Sequence, residues 1–211
     1  MPIEASETIC SIATSTGRGG IGIIRVSGPK TKRIALKVLG FEPTPRHAYS
    51  SNFLNNDKSI IDSGVAIYYA GPNSFTGEDI LELQGHGGSQ IMRAVLDRVI
   101  SLGARQSRPG EFSERAFLNN KIDLVQAEAI ADLIDASSKQ AARSAVRTLQ
   151  GEFSKRVVEL QNQLTAARVN VEAAIDFSDE DIEILSDTGV STAVDNLLAE
   201  LNRVFAEAEQ G

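Results

Sequence analysis

The uneven placement of glycine and proline constrains this chain more than any other feature of its sequence. All six prolines and 14 of the 17 glycines lie in residues 1–120, and only Gly151, Gly189 and Gly211 follow. Glycine and proline break helices and mark turns, and where they are scarce long helices can run. The pattern predicts an α+β domain over residues 1–120 and an all-helical segment over residues 121–211. Charge divides at the same place. Residues 1–120 carry 13 basic and 11 acidic side chains, and the remainder carries 8 and 17, which accounts for the overall charge of −7.

Several function classes fall away on composition. A chain this acidic does not hold nucleic acid through bulk charge alone, because phosphate binding needs a basic face. With 42% apolar residues it can bury a core, which excludes global disorder. One cysteine, Cys10, and two histidines, His47 and His86, make neither a disulfide framework nor a four-ligand zinc site. The single thiol also fits a reducing cytosol. No apolar run approaches the roughly 18 residues of a membrane span, and the N-terminal residues do not read as a secretion signal. The expectation is a soluble, cytoplasmic protein that is not exported.

Within the first domain, the β-branched run Ile21–Val26 reads as a strand, followed by a helix over Thr31–Leu39 that stops at Gly40. Ile60–Ala70 and Asp79–Gln84 read as further strands flanking the loop Gly71–Gly77. Ser89–Leu102 reads as a helix capped by Ser89 and closed by Gly103. Strand and helix alternate only in part, which disfavours a doubly wound parallel sheet. In the second half one helix is expected over Asp123–Gln150, with Asp123 and Gln126 at capping-box spacing. Two heptad seams follow, from Phe153 to Ala174 and from Val190 to Ala208, separated by an acidic loop over Asp176–Glu183. Each seam needs another helix against it, so this half reads as a partial bundle, its last helix cut at a linker.

Gly17-Arg-Gly-Gly-Ile-Gly22 matches the dinucleotide fingerprint by letter, but its glycines precede a strand instead of joining a strand to a helix. A tight turn with closely approaching backbone is the better reading. The chain contains neither a P-loop nor a G-x-S-x-G nucleophile motif. Two charges interrupt apolar strands: Arg25 within Ile23–Val26, and Glu82 within Ile80–Leu83. A buried lone charge costs several kcal/mol. The two are therefore outward-facing residues, a mutual ion pair, or the wall of a ligand pocket. In a pocket, the carboxylate would accept from an amino-heterocycle and the guanidinium would grip a ligand carboxylate. Gly85-His-Gly-Gly88 joins a strand to a helix and reads first as a turn with a structural histidine, and second as an anion or ligand contact through His86. The charges of Arg108–Arg115, with Lys121, read as a solvated linker.

At these motifs the chain resembles the MnmE (TrmE) tRNA-modification GTPases. The matching segments are Ala13–Gly22, Gly71–Asp79, Leu81–Gly88, Arg108–Phe117 and Asp123–Ala136, which together run through most of the chain. Ser15 and Thr16 stand where members usually have two prolines. The resemblance implies an N-terminal domain with the tetrahydrofolate-binding fold of the glycine-cleavage T-protein, which dimerises and binds a formyl-tetrahydrofolate. It places Arg25, Glu82 and Lys121 at the folate-contacting positions. It further implies that a GTPase domain, with its P-loop and its Mg²⁺ and K⁺ sites, is inserted in the helical domain. This chain would stop where that domain begins, lacking also the second helical half and a cysteine-containing tail. The expected partners are a second copy, the FAD-dependent MnmG protein, and tRNA through the full complex. There the family installs a carboxymethylaminomethyl-type group at C5 of the wobble uridine. Two other readings stand beside this one: a purely structural assembly module without folate binding, and a free-standing one-carbon transferase.

Overall fold

A computed structural model describes residues 7–15, 17, 19–176 and 187–208. The chain forms two compact units, Met1–Ile122 and Asp123–Gly211.

The first unit is built on a six-stranded mixed sheet. In chain order its elements are β1 (Ile9–Ile12), β2 (Gly22–Ser27), α1 (Thr31–Leu39), β3 (Ala48–Leu54), β4 (Ile60–Tyr69), β5 (Ile80–Gly85), α2 (Ser89–Ser101), β6 (Arg105–Gln106) and α3 (Glu111–Leu118). The strand order is β3-β4-β5-β2-β1-β6. All pairings are antiparallel except β1 with β6. The sheet is thus not doubly wound, as the incomplete alternation predicts. β1, β3 and β6 are additions to the sequence reading. Ser-Ser-Asn in the middle of β3 and the two residues of β6 give no apolar alternation to read.

Side chains alternate across a strand, so the sheet has two distinct faces. Cys10, Ile24, Val26, Ala66, Tyr68, Leu81 and Leu83 lie on one of them and pack against Ile34 and Val38 of α1 and Met92, Val95 and Val99 of α2. Each fully buried aliphatic side chain of this layer contributes about 1.5–3 kcal/mol. Gly40 ends α1 in the left-handed conformation at φ 81°, a geometry that suits glycine. Gly103 follows α2 at φ 103°. The cap of α2 differs from expectation: Gly88 is its N-cap and no side chain caps it, so Ser89 is already the first helical residue.

The second unit holds α4 (Leu124–Asp135), α5 (Lys139–Leu149), α6 (Glu152–Asp176) and α7 (Asp187–Ala208). The single helix expected over Asp123–Gln150 is two. Ala136 is extended at ψ 114°, and Ser138 then opens a new helix by accepting the Ala141 N–H at 3.1 Å. Serine competes with helical backbone for its own hydrogen bonds, which is why Ser137-Ser138 breaks the run. The Asp123–Gln126 capping box forms in both directions. α4 packs on α5, and α6 on both α5 and α7. The seams expected on α6 and α7 are only partly covered: Val204 is buried, whereas Leu164 is 61% exposed. Of the acidic loop Asp176–Glu183, residues 177–183 lie outside the described residues.

Candidate binding site

The face of the sheet opposite α1 and α2 carries Arg25 and Glu82. Register places Ser11, Arg25, Glu82 and Ile67 in one row across β1, β2, β5 and β4. Arg25 and Glu82 are direct neighbours in that row, and their side chains meet. Nε and Nη2 of Arg25 donate to the same oxygen, Glu82 Oε1, at 2.9 and 2.7 Å. Glu82 Oε2 accepts no hydrogen bond from the described residues. Of the readings left open by the sequence, the mutual ion pair is therefore realised, in a form that leaves half of the carboxylate available. The pair is only partly covered, with side chains 32% and 14% exposed.

Two aromatic rings flank the guanidinium. Its carbon lies 5.7 Å from the ring centre of Phe75 and 5.9 Å from that of Phe112, within cation–π range. Phe75 belongs to the loop between β4 and β5, and Phe112 to α3. Lys121 reaches the same loop: its Nζ donates to the Pro72 carbonyl at 2.9 Å. Its stem lies 3.3 Å from where a Cβ on Gly77 would sit. Gly77 has φ 77°, so glycine there meets both a backbone and a space requirement. Arg25 and Lys121 thus both contact the 71–77 loop, at Phe75 and at Pro72 and Gly77 respectively.

That loop is held by a buried polar network. The Ser27 hydroxyl bonds the Thr76 hydroxyl at 2.7 Å and donates to Glu78 Oε2 at 2.7 Å. Arg115 of α3 donates through Nη1 to both Glu78 oxygens at 3.0–3.1 Å, and through Nη2 to Glu111 at 3.2 Å. Glu111 also takes a two-pronged contact from Arg105 at 2.6 and 2.9 Å and the Arg108 N–H at 2.8 Å. Glu111 is 3% exposed and Arg115 9%. The Arg105 guanidinium, above all, holds the Glu111 carboxyl down at about 2 despite its burial, helped by the Arg108 N–H and by Arg115.

The expectation of a solvated linker at Arg108–Arg115 is therefore corrected for Glu111 and Arg115, which are buried, while Arg108 and Glu114 are exposed. The segment runs into α3, where Glu111 and Arg115 are internal because Glu111 has two guanidinium partners and the Arg108 N–H. A charge count along the chain cannot distinguish this from a wet surface. The i, i+4 spacing of Glu111 and Arg115 was the available signal. His86, too, has a definite role in the turn. Its ring nitrogen Nδ1 lies 2.7 Å from Oδ1 of Asp62, a residue that the sequence reading passed over. Among the described residues, no group of three or more His, Cys, Asp or Glu is placed to hold a metal ion. No described helix is long and apolar enough to cross a membrane.

Comparison with known proteins places these residues in context. Residues 8–121 match the family described as "GTP-binding protein TrmE N-terminus", and residues 124–211 match "MnmE helical domain". A protein of Pseudomonas paraeruginosa named "tRNA modification GTPase MnmE" is 58% identical over 207 residues, covering 98% of this chain and 46% of the relative. Proteins of the same name from Hydrogenovibrio crunogenus and Coxiella burnetii are 56% identical over 211 residues and 57% over 205. They align with 100% and 97% of this chain and with 47% and 45% of their own lengths. The chain spans slightly less than half the length of these relatives.

Proposed function

The chain belongs to the MnmE (TrmE) family of tRNA modification GTPases, and from that premise we propose that it is the folate-binding and dimerising part of such a protein. The observation that carries the reading is the Arg25–Glu82 pair on the sheet face opposite the helices, with one carboxylate oxygen free. The donor set suits a formyl-tetrahydrofolate. Glu82 Oε2 can accept from the amino edge of a pterin, and Arg25 and Lys121 supply positive charge for the anionic parts of the ligand. Phe75 and Phe112 offer apolar surface beside the pair. When bound, the folate supplies a one-carbon unit. In this proposal the first unit, from residue 1 to about 120, has the tetrahydrofolate-binding fold of the glycine-cleavage T-protein. Residues from 121 to 211 are the first half of the helical domain, next to the point where a GTPase domain is inserted.

The rest of the activity belongs to the whole protein. Family membership supports a homodimer acting in the cytoplasm with the FAD-dependent MnmG protein, installing a carboxymethylaminomethyl-type group at C5 of the tRNA wobble uridine. GTP, Mg²⁺ and K⁺ would bind in the GTPase domain. One local feature favours an RNA contact from this chain itself. Lys139, Arg143 and Arg147 stand four residues apart on one face of α5, with no carboxylate partner among the described residues. Isothermal titration of formyl-tetrahydrofolate into the chain and into E82Q tests the reading. The alternative of a purely structural assembly module predicts dimerisation with no folate heat.

A further inference from the structure

Glu82 shares its strand face with a second polar side chain. Residues two apart on a strand point the same way, roughly 7 Å from one another. Gln84 therefore stands beside Glu82 on the face opposite α1 and α2. Register sets it between Ile23 of β2 and Val65 of β4, one row on from Arg25, Glu82 and Ile67. Gln84 is half-buried. Its amide makes no hydrogen bond with any described residue, and neither amide atom is shut off from the surface. The two side chains flanking it in its row are β-branched and aliphatic, so they offer it no partner. A half-covered polar group of this kind is satisfied by water or by a ligand. The free Glu82 Oε2 beside it favours the ligand.

Together the two side chains form a defined hydrogen-bond pattern. Glu82 Oε2 accepts, the Gln84 amide oxygen accepts, and the Gln84 amide nitrogen donates. The complement is an edge that presents donor, donor and acceptor in that order. A 2-amino-4-oxopyrimidine ring has such an edge: its amino group and ring N–H donate, and its carbonyl accepts. A carboxamide pairs with the last two in the bidentate manner by which glutamine and asparagine read a nucleobase. Ile23, Val65 and Ile67 surround the polar pair with apolar surface for the ring.

We propose that Gln84 is a specificity-determining residue that pairs with the ring N–H and carbonyl of a pterin while Glu82 takes its amino group. The proposal rests on the folate reading of this face and deepens it, by naming the side chain that recognises the oxo-bearing edge of the ring. Guanine carries the same edge. The anionic tail of folate, for which Arg25 and Lys121 supply positive charge, separates the two ligands.

The test compares the unsubstituted chain, Q84M and Q84E by calorimetric titration, with folding checked by circular dichroism. Methionine keeps the length of the side chain without its amide, and glutamate keeps the acceptor without the donor. The titrants are 5-formyl-tetrahydrofolate and p-aminobenzoylglutamate, which is the folate tail without its pterin. The expected result is a loss of about 10- to 100-fold for the folate in both variants, with the response to the tail unchanged. A residue that only supported the fold would weaken both titrants or neither. In ¹⁵N NMR, the side-chain amide signals missing from Q84M should shift on saturation with the folate and stay in place with the tail. Unchanged folate affinity in Q84M, or amide signals that the folate leaves in place, would overturn the role of Gln84 while leaving Glu82 and the folate reading intact. If Q84M does not fold, Q84E answers the same two questions. Absence of folate binding by the unsubstituted chain, with or without saturable binding of guanosine, would overturn the pterin assignment and the folate reading together.

Discussion

Arg25 and Glu82 face each other across β2 and β5, and two guanidinium N–H groups of Arg25 converge on one carboxylate oxygen, Oε1, leaving Oε2 without a partner among the described residues. A pair built only for stability would engage both oxygens in fork geometry, as Arg105 does with Glu111 at 2.6 and 2.9 Å. The two carboxylates thus mark different tasks within one unit: Glu111 is fully engaged and buried, and Glu82 is half engaged and partly open.

Glu111 makes stability depend on acid. Its folded pKa of about 2 lies below the unfolded value of 4.5, so its contribution is complete above about 4.5. That contribution is lost as pH falls from there through about 2. Thermal unfolding followed across this range should show a steep loss in the chain and a shallower one in E111Q. At neutral pH, Glu111→Ala leaves Arg105 and Arg115 without their shared anion, and should cost about 3–5 kcal/mol by urea unfolding.

Gly64 of β4 lies beside β5, next to the Val65–Gln84 pair, and a Cβ there would collide with the Gln84 backbone carbonyl. Backbone within a central strand pair cannot move aside as a side-chain tip does. Gly64→Ala should therefore loosen the β4–β5 pairing and lower the midpoint of denaturation. Gly20→Ala, with nothing within 4 Å of the new atom, is the control and should leave the midpoint nearly unchanged.

Cys10 is fully buried under α2, and burial pushes its thiol up to about 11. The thiolate is the reactive form, so the folded chain should react slowly with an aromatic disulfide reagent at pH 8. Reaction should become fast in denaturing urea. Equal rates in the two conditions would mean that the thiol is not buried.

The break between α4 and α5 rests on caps. Ser138→Ala removes the bond to the Ala141 N–H and Asp123→Ala removes the capping box. Each should destabilise the second unit by about 1 kcal/mol, read as a lower melting temperature of the helical circular-dichroism signal.

Much of this arrangement was legible beforehand. The glycine and proline census predicted a mixed part followed by a helical one, and period-2 alternation singled out Arg25 and Glu82 as charges interrupting apolar strands. What stayed hidden depends on contacts between residues far apart in sequence. Asp62 gains meaning only because His86, 24 residues later, returns beside it. Glu111 and Arg115 look wet until Arg105 and Glu78 engage them. β3 escaped because its Ser-Ser-Asn centre satisfies the ladder with backbone alone, and the α4–α5 break escaped because the apolar spacing continues through the two serines that interrupt the helix.

The central claim is that Glu82 uses its free oxygen to hold a folate. Calorimetric titration of 5-formyl-tetrahydrofolate into the chain and into E82Q, with folding checked by circular dichroism, tests it most directly. The account predicts saturable binding to the unsubstituted chain and a loss of about 10- to 100-fold in E82Q, the size of a hydrogen bond to a charged acceptor. Equal affinity in both proteins, or no binding to either, would contradict it.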